Sequence, residues 1–211
     1  MYLDCLNRSQ IKVLKKLGFL KEYGFYLAGG TALAFQLGHR RSMDLDFYTP
    51  KKFDYKQLRR ELENKFEEAI FIQGSEGTLI MKLDGVAASF FQYPYLLIFP
   101  TIEFDDFSPM ASVKEIAAMK LIAIADRGIQ RDFYDIYFLL KEFSLDKIFE
   151  WVKKKYPKFN TYSAIRGLTY FDDAEKKKYQ RRVYLFRYVS WSKVKKFLVE
   201  KTKEYKEEWL S

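Results

Sequence analysis

Between residues 25 and 48 the chain places a strand, a glycine pair, a short helix and an acidic strand in direct succession, and this order constrains the fold most. Phe25-Tyr26-Leu27-Ala28 is a short apolar run that leads straight into Gly29-Gly30-Thr31. Ala32 to Leu37 reads as a helix stopped by Gly38. Met43 to Tyr48 then alternates strictly, the pattern of a strand with one buried face, and Pro50 follows it. Successive strand side chains point to opposite faces, so Asp44 and Asp46 share one face while Leu45 and Phe47 point into the core.

The flanking segments complete a small domain. Ile11 to Leu20 carries apolar residues at helical spacing (Ile11, Leu14, Leu17) and ends at Gly18 or Gly24. Tyr55 to Glu67 is a charged amphipathic helix. Three strand-like runs follow, Ala69 to Gln73, Thr78 to Leu83 and Val86 to Tyr93, the last two joined by Asp84-Gly85, a strong hairpin signal. The expected fold class is α+β (α/β), with a small mixed sheet and flanking helices over residues 1–110. A boundary falls near Asp105-Asp106-Phe107-Ser108-Pro109. Ser112 with Glu115 is a capping box that opens a helix running to about Arg127, ended by Gly128. A second helix starts at Asp132, and the rest, through Trp151, Val183 and Phe197, reads as helical. Residues 111–211 are therefore expected to form a basic helical bundle.

Composition narrows the setting. Apolar residues at 48% of 211 support a real core and exclude disorder. The longest apolar stretch, Tyr95 to Phe99, is far too short to cross a bilayer, and the first residues lack a basic segment followed by an apolar run. One cysteine (Cys5) excludes an internal disulfide, and one histidine (His39) excludes a Cys/His zinc site. A cytoplasmic protein with no membrane partner is expected. The net charge is +9, and the excess sits at one end: from Trp151 onward there are 17 basic and 7 acidic residues. Lys153-Lys154-Lys155, Lys176-Lys177-Lys178, Arg181-Arg182 and Arg187 alternate there with Tyr156, Phe159, Tyr179, Tyr184, Phe186, Tyr188 and Trp191. Cations with aromatics suit RNA through phosphate contacts and base stacking. At helical spacing most such aromatics belong to a core, and lysine-rich helices are as often simply solvated.

The residues around the glycine pair carry the chemistry. Two carboxylates side by side repel, and the cost is relieved when a cation neutralises them. Mg²⁺ does this and leaves coordination positions for water and phosphate oxygens. Gly29 and Gly30, between strand and helix, let backbone N–H groups and the helix N-terminus approach phosphate, with Thr31 adding a hydroxyl donor. Ser42 shares the face of Asp44 and is placed to touch a triphosphate. His39, Arg40 and Arg41 either meet the triphosphate or the acceptor, or are a solvated loop cluster. A phosphate cradle and a Mg²⁺ pair one short helix apart are the parts needed to hold a nucleoside triphosphate.

Gly29-Gly30-Thr31 followed by Asp44-x-Asp46 resembles the signature of the nucleotidyltransferase superfamily related to DNA polymerase β, and more narrowly its AbiEii/AbiGii toxin branch, which includes MenT-like toxins. A second segment is similar too: Lys120, Arg127, and Arg131-Asp132-Phe133-Tyr134-Asp135. The likeness spans roughly Tyr26 to Leu140. It implies an N-terminal nucleotidyltransferase domain followed by a helical one, an NTP and Mg²⁺ requirement, transfer of a nucleotide to an acceptor hydroxyl such as the 3′ end of RNA or tRNA, and a cognate antitoxin as partner. Asp44 and Asp46 would bind metal and act in catalysis; Gly29, Gly30, Thr31, Ser42, Arg127 and Arg131 would bind NTP. Lys120 would balance phosphate charge, and Asp132 or Asp135 would orient or deprotonate the acceptor.

Spacing alone reads Asp132 instead as an N-cap with Asp135 at the third helical position, and pairs Arg127 or Arg131 with Asp126 or Asp132. Many superfamily members place a third carboxylate on a later strand; here Val86-Ala87-Ala88-Ser89-Phe90-Phe91-Gln92 has none, and Asp84 sits in a turn. Two other readings therefore stay open: the same transfer onto a small molecule or a protein, and a non-catalytic NTP-binding or toxin–antitoxin module.

Overall fold

The computed structural model describes residues 1–176 and 182–210, with side chains through Tyr205, and divides into two units, Met1–Ser112 and Val113–Ser211. Lys177, Lys178, Tyr179 and Arg181 of the basic segment lie outside the described residues.

Strand pairing organises the first unit. Its strands are β1 (Tyr26–Ala28), β2 (Leu45–Thr49), β3 (Ala69–Ser75), β4 (Thr78–Leu83) and β5 (Val86–Gln92), ordered β1-β2-β5-β4-β3. β2 runs parallel to β5 and every other pair is antiparallel, so the sheet is mixed. Burial alternates along β2: Leu45, Phe47 and Thr49 are buried, while Asp46 and Tyr48 are half-buried. The buried face is aromatic, with Phe47 stacked on Phe90 at 5.4 Å and Phe25 edge-on to Phe90 at 5.8 Å. The β4–β5 hairpin turns on Asp84 and Gly85, both at positive φ (44° and 82°), as a two-residue type I′ turn requires. Asp84 is held there by Lys16 Nζ at 2.8 Å and by the Glu68 N–H at 3.1 Å, which accounts for this acid structurally.

Helix α1 (Arg8–Lys16) starts three residues before the expected Ile11, because Asn7 and Gln10 close a capping box at its N-terminus. After Lys16 the backbone tightens into a 3₁₀ turn over Leu17–Tyr23, ended by Gly24 at φ 71°. Helix α2 (Gly29–Leu37) takes both glycines into its first turn and ends at Gly38; α3 (Tyr55–Lys65) is capped by Asp54. β2 starts at Leu45 rather than Met43, because the Asp44 carbonyl is taken by the Thr31 hydroxyl instead of a neighbouring strand.

The second unit is helical: α4 (Val113–Asp126), α5 (Gln130–Glu142), α6 (Leu145–Lys155), α7 (Thr161–Gly167), α8 (Asp172–Glu175) and α9 (Trp191–Leu210). Helix α4 is its centre, with Ile116, Ala117, Ala118 and Leu121 fully buried. It lies so close to α7 that a Cβ on Gly167 would come 2.9 Å from the Ile124 carbonyl. Two expectations change. Helix α5 begins at Gln130, since Gly128 (φ 44°) and the extended Ile129 end the turn early, so Asp132 is the third helical residue and not the N-cap. Residues 182–190 are not helical. There Tyr184, Phe186, Arg187 and Tyr188 are exposed, while Val183 and Leu185 are half-buried and Val189 is buried. Among the described residues no helix is long and apolar enough to cross a membrane.

Glu115, expected only as a capping partner, forms a fully buried ion pair with Lys155, Oε1 to Nζ 2.5 Å, joining α4 to α6. Removing one charge strands the other in the core. Glu115→Ala is expected to cost about 3–5 kcal/mol in denaturant unfolding of the second unit, whereas Glu115→Leu with Lys155→Met restores most of it. Equal losses in the single and double variants would refute the pairing.

Candidate active site

Two clusters of functional side chains emerge, one in each unit. The first is built on the junction of β1 and α2. Ala28 pairs with Asp46 across β1 and β2, so the chain enters the helix directly beside the acid. Gly29 adopts φ 66°, and a Cβ there would come 2.9 Å from Asp46 Oδ2. The carboxylate thus rests on the glycine backbone, and only glycine meets both demands at once. Asp46 lies in β2 and Asp44 immediately before it; both are half-buried and flank buried Leu45.

Gly30 is as tightly placed. A Cβ there would come 2.4 Å from Arg40 Nη2 and 3.4 Å from Ser42 Oγ. Arg40 is buried, with Nη1 donating to the Arg41 carbonyl at 3.0 Å, so it is no solvated loop charge; Arg41 is the exposed neighbour. A guanidinium against the first turn of α2 adds positive potential where backbone N–H groups point outward. His39 is buried as well. Sequence reasoning left Arg40 and Arg41 equal; no periodicity distinguishes two adjacent loop arginines.

Thr31 differs from expectation. It is buried, its hydroxyl donates to the Asp44 carbonyl, and Ser42 Oγ lies 2.8 Å away. The proton expected for phosphate is used to tie α2 to the acidic segment. Gln10 of α1 adds a second tie, donating through Nε2 to the Ser42 carbonyl at 3.0 Å. In the parallel β2–β5 ladder the residue in register with Asp46 is Ser89, so a hydroxyl stands beside the metal-ligand candidate.

The second cluster is centred on Lys120 of α4. Its Nζ lies 2.7 Å from Asp132 Oδ1 and 2.6 Å from Asp135 Oδ2, and all three side chains are buried. Asp132 also accepts from Arg127 Nε at 3.0 Å and Nη2 at 3.3 Å, while half the Arg127 side chain stays exposed. Residues three apart on one helix share a face, so α5 offers both acids to one ammonium. Burial pushes the Asp132 carboxyl up, but the Lys120 and Arg127 charges together outweigh it and hold it below the usual carboxylate range. Arg131 is half-buried in the first turn of α5.

Among the described residues no three His, Cys, Asp or Glu side chains gather as a metal cage. Mg²⁺ is commonly held by one or two carboxylates plus substrate phosphates, and Asp44 with Asp46 beside the glycine turn fits that donor set.

Two outcomes follow. Gly30→Ala must push Arg40 aside; it should weaken binding of a Mg²⁺–NTP at least about tenfold by calorimetry while leaving a cooperative melt. Unchanged affinity would show that Arg40 has no bearing on the seat. Because the Asp132 carboxyl is lowered in the folded state, its contribution is complete above the unfolded value near 3.9 and is lost as pH falls through the lower folded value. Thermal scans below pH 4 should therefore fall less steeply for Asp132→Asn than for the parent. An identical slope would refute the linkage.

The comparisons with known proteins agree with this geometry. The family described as nucleotidyl transferase AbiEii toxin of type IV toxin–antitoxin systems matches residues 18–108 and 81–209. An uncharacterized protein of Aquifex aeolicus is 38% identical over 96% of this chain and 98% of its own length. Among solved structures, MenT4, a nucleotidyltransferase toxin of Mycobacterium tuberculosis, superposes with a TM-score of 0.57 at 16% identity, over 91% of this chain and 80% of that one. A structure from H. pylori assigned to the nucleotidyltransferases superposes at 0.54 and 18% identity, over 98% and 99%. The two solved structures support the α+β fold, and the family match carries the assignment: the chain belongs to the AbiEii family of nucleotidyltransferase toxins.

Proposed function

We propose that the protein transfers a nucleotide from an NTP to the 3′ end of an RNA, tRNA being the acceptor expected from the family. The observation that supports this reading is the approach of Asp46 to Gly29, which brings one acid of the pair against the glycine turn. Backbone N–H groups at the start of α2, backed by Arg40, would receive the triphosphate. Ser42 would lie at its margin. Asp44 and Asp46 would hold Mg²⁺, which when bound neutralises phosphate oxygens as charge develops in the displacement.

For the helical unit, the family resemblance implies that Lys120 balances phosphate charge and that Arg127 and Arg131 bind phosphate oxygens. Asp132 already accepts from two cations, so we assign it to positioning. Asp135, the second acid on the Lys120 ammonium, is assigned to orient or deprotonate the acceptor hydroxyl. An RNA acceptor is further supported by Tyr184, Phe186 and Tyr188, all exposed, with the Arg182 guanidinium 5.0 Å from the Tyr184 ring. Rings and guanidinium groups on an open surface suit unpaired bases. Tyr156 is instead buried, and Trp191 is half-buried, packed against Phe133 and Phe171. A cognate antitoxin is the partner expected of this family, and its identity is open.

Incubation with each α-labelled NTP, Mg²⁺ and bulk RNA tests the proposal on a gel. Label should enter RNA, fall steeply between low and physiological salt, and vanish in Asp46→Asn. Asp135→Asn should lower the rate about 10²–10⁴-fold while NTP affinity holds, since a general base acts on the chemical step. Labelling that survives Asp46→Asn would refute the mechanism; salt-insensitive turnover of a small molecule would refute the RNA acceptor; tight Mg²⁺–NTP binding without product under any acceptor would leave a binding module.

A further inference from the structure

The outer edge of the sheet has the character of a docking strand. β3 is the terminal strand in the sheet order, and among the described residues its strand partner is β4. Ile70, Phe71 and Ile72 are 45%, 37% and 56% exposed on it. The register shifts between Phe71, opposite Met81, and Gln73, opposite Ile80, which makes Ile72 the extra residue of a bulge. Arg59 of α3 covers the Phe71 ring at 4.2 Å and is itself paired with Glu63, so the α3 side of the strand is occupied and the edge is open.

An edge strand offers a row of N–H and C=O groups to any passing chain, and proteins guard such rows with lysine, proline or a covering element. From Glu67 to Gly77 this chain has no lysine, arginine or proline. The charges present are Glu67 and Glu68 at one end and Glu76 at the other, all exposed. This is an apolar strip between acidic ends, in a chain whose net charge is +9.

That pattern decides the occupant. Antiparallel pairing with a second copy through Ile72 sets Glu68 of each strand opposite Glu76 of the other, and pairing through Ile70 sets Glu68 opposite Ile72 and Glu67 opposite Gln73, bringing four carboxylates to the strip with no cation to meet them. Like charges opposite one another destabilise a ladder. Bringing a basic segment there relieves the same charges. We propose that the β3 edge binds an extended segment of a partner protein, apolar at alternate positions and flanked by lysine or arginine. Main-chain hydrogen bonds supply affinity, and Ile70 and Ile72 supply the apolar contacts that fix its register. Nothing in this proposal depends on nucleotide transfer, and its test needs no activity.

The probe is the peptide Lys-Lys-Val-Thr-Ile-Thr-Val-Lys-Lys, titrated into the full chain by calorimetry and by amide NMR. Saturable binding should appear, with amide shifts concentrated on β3. Methylating alternate peptide nitrogens on the pairing edge removes ladder donors without touching the protein, and should weaken binding at least about tenfold. The Glu67→Lys, Glu68→Lys double variant should weaken it about fivefold or more, and Ile72→Lys should do likewise, each keeping the parent's melting temperature within a few degrees. Equal affinity of the methylated peptide overturns the docking strand, as does absence of saturation at millimolar peptide. A dimer of this protein dispersed by Ile72→Lys overturns the partner class in favour of a second copy.

Discussion

A carboxylate resting against a peptide backbone sets the terms for the first unit. Asp46 reaches its place because β1 and β2 are paired in register, and it can stay there because Gly29 has no side chain and accepts a left-handed φ. Everything nearby is subordinate to that approach. Buried Leu45 and Phe47 fix which way the acids point, and the aromatic layer beneath them anchors the strand. Arg40 fills the space that Gly30 leaves. Two carboxylates beside a proposed phosphate seat are reconciled by a divalent ion, which is why Mg²⁺ belongs to the proposed function.

The second unit handles charge differently. Its central acids and cations are matched to one another, and all but Arg127 are out of water: Lys120 with Asp132 and Asp135, Asp132 with Arg127, Lys155 with Glu115. Buried pairs of this kind add little net stability, because desolvation consumes most of the attraction. Their value lies in holding each group at a definite point. Lys155–Glu115 locks two helices, whereas the Lys120 cluster extends to a half-exposed arginine and so reaches toward solvent.

Much of this was legible in the chain itself. β2 was legible from its strict alternation, β1 and β3 as short apolar runs, and β4 and β5 as runs joined by the Asp84-Gly85 turn signal. The paired acids were legible from the alternation that marks β2. Boundaries set by tertiary hydrogen bonds were not: β2 starts late because of Thr31, eleven residues before Ser42 and thirteen before Asp44. The start of α5 depended on the backbone at Gly128, and spacing alone made Asp132 a cap when it is a buried acid on Lys120. Residues 182–190 read as helix from the dense apolar run Val183 to Phe186, and a run without alternation carries no mark of the non-helical backbone found there. Burial of Arg40 rather than Arg41 leaves no trace in sequence, because it depends on a glycine ten residues earlier making room.

The short bond from the Thr31 hydroxyl to the Asp44 carbonyl has a mechanical result. It clamps the start of a helix to the segment that feeds a strand, with Gln10 bracing the same segment from a third element. Seat and acidic segment are thereby coupled through side chains, so a substitution at Thr31 or Gln10 is felt at the acids without touching either carboxylate.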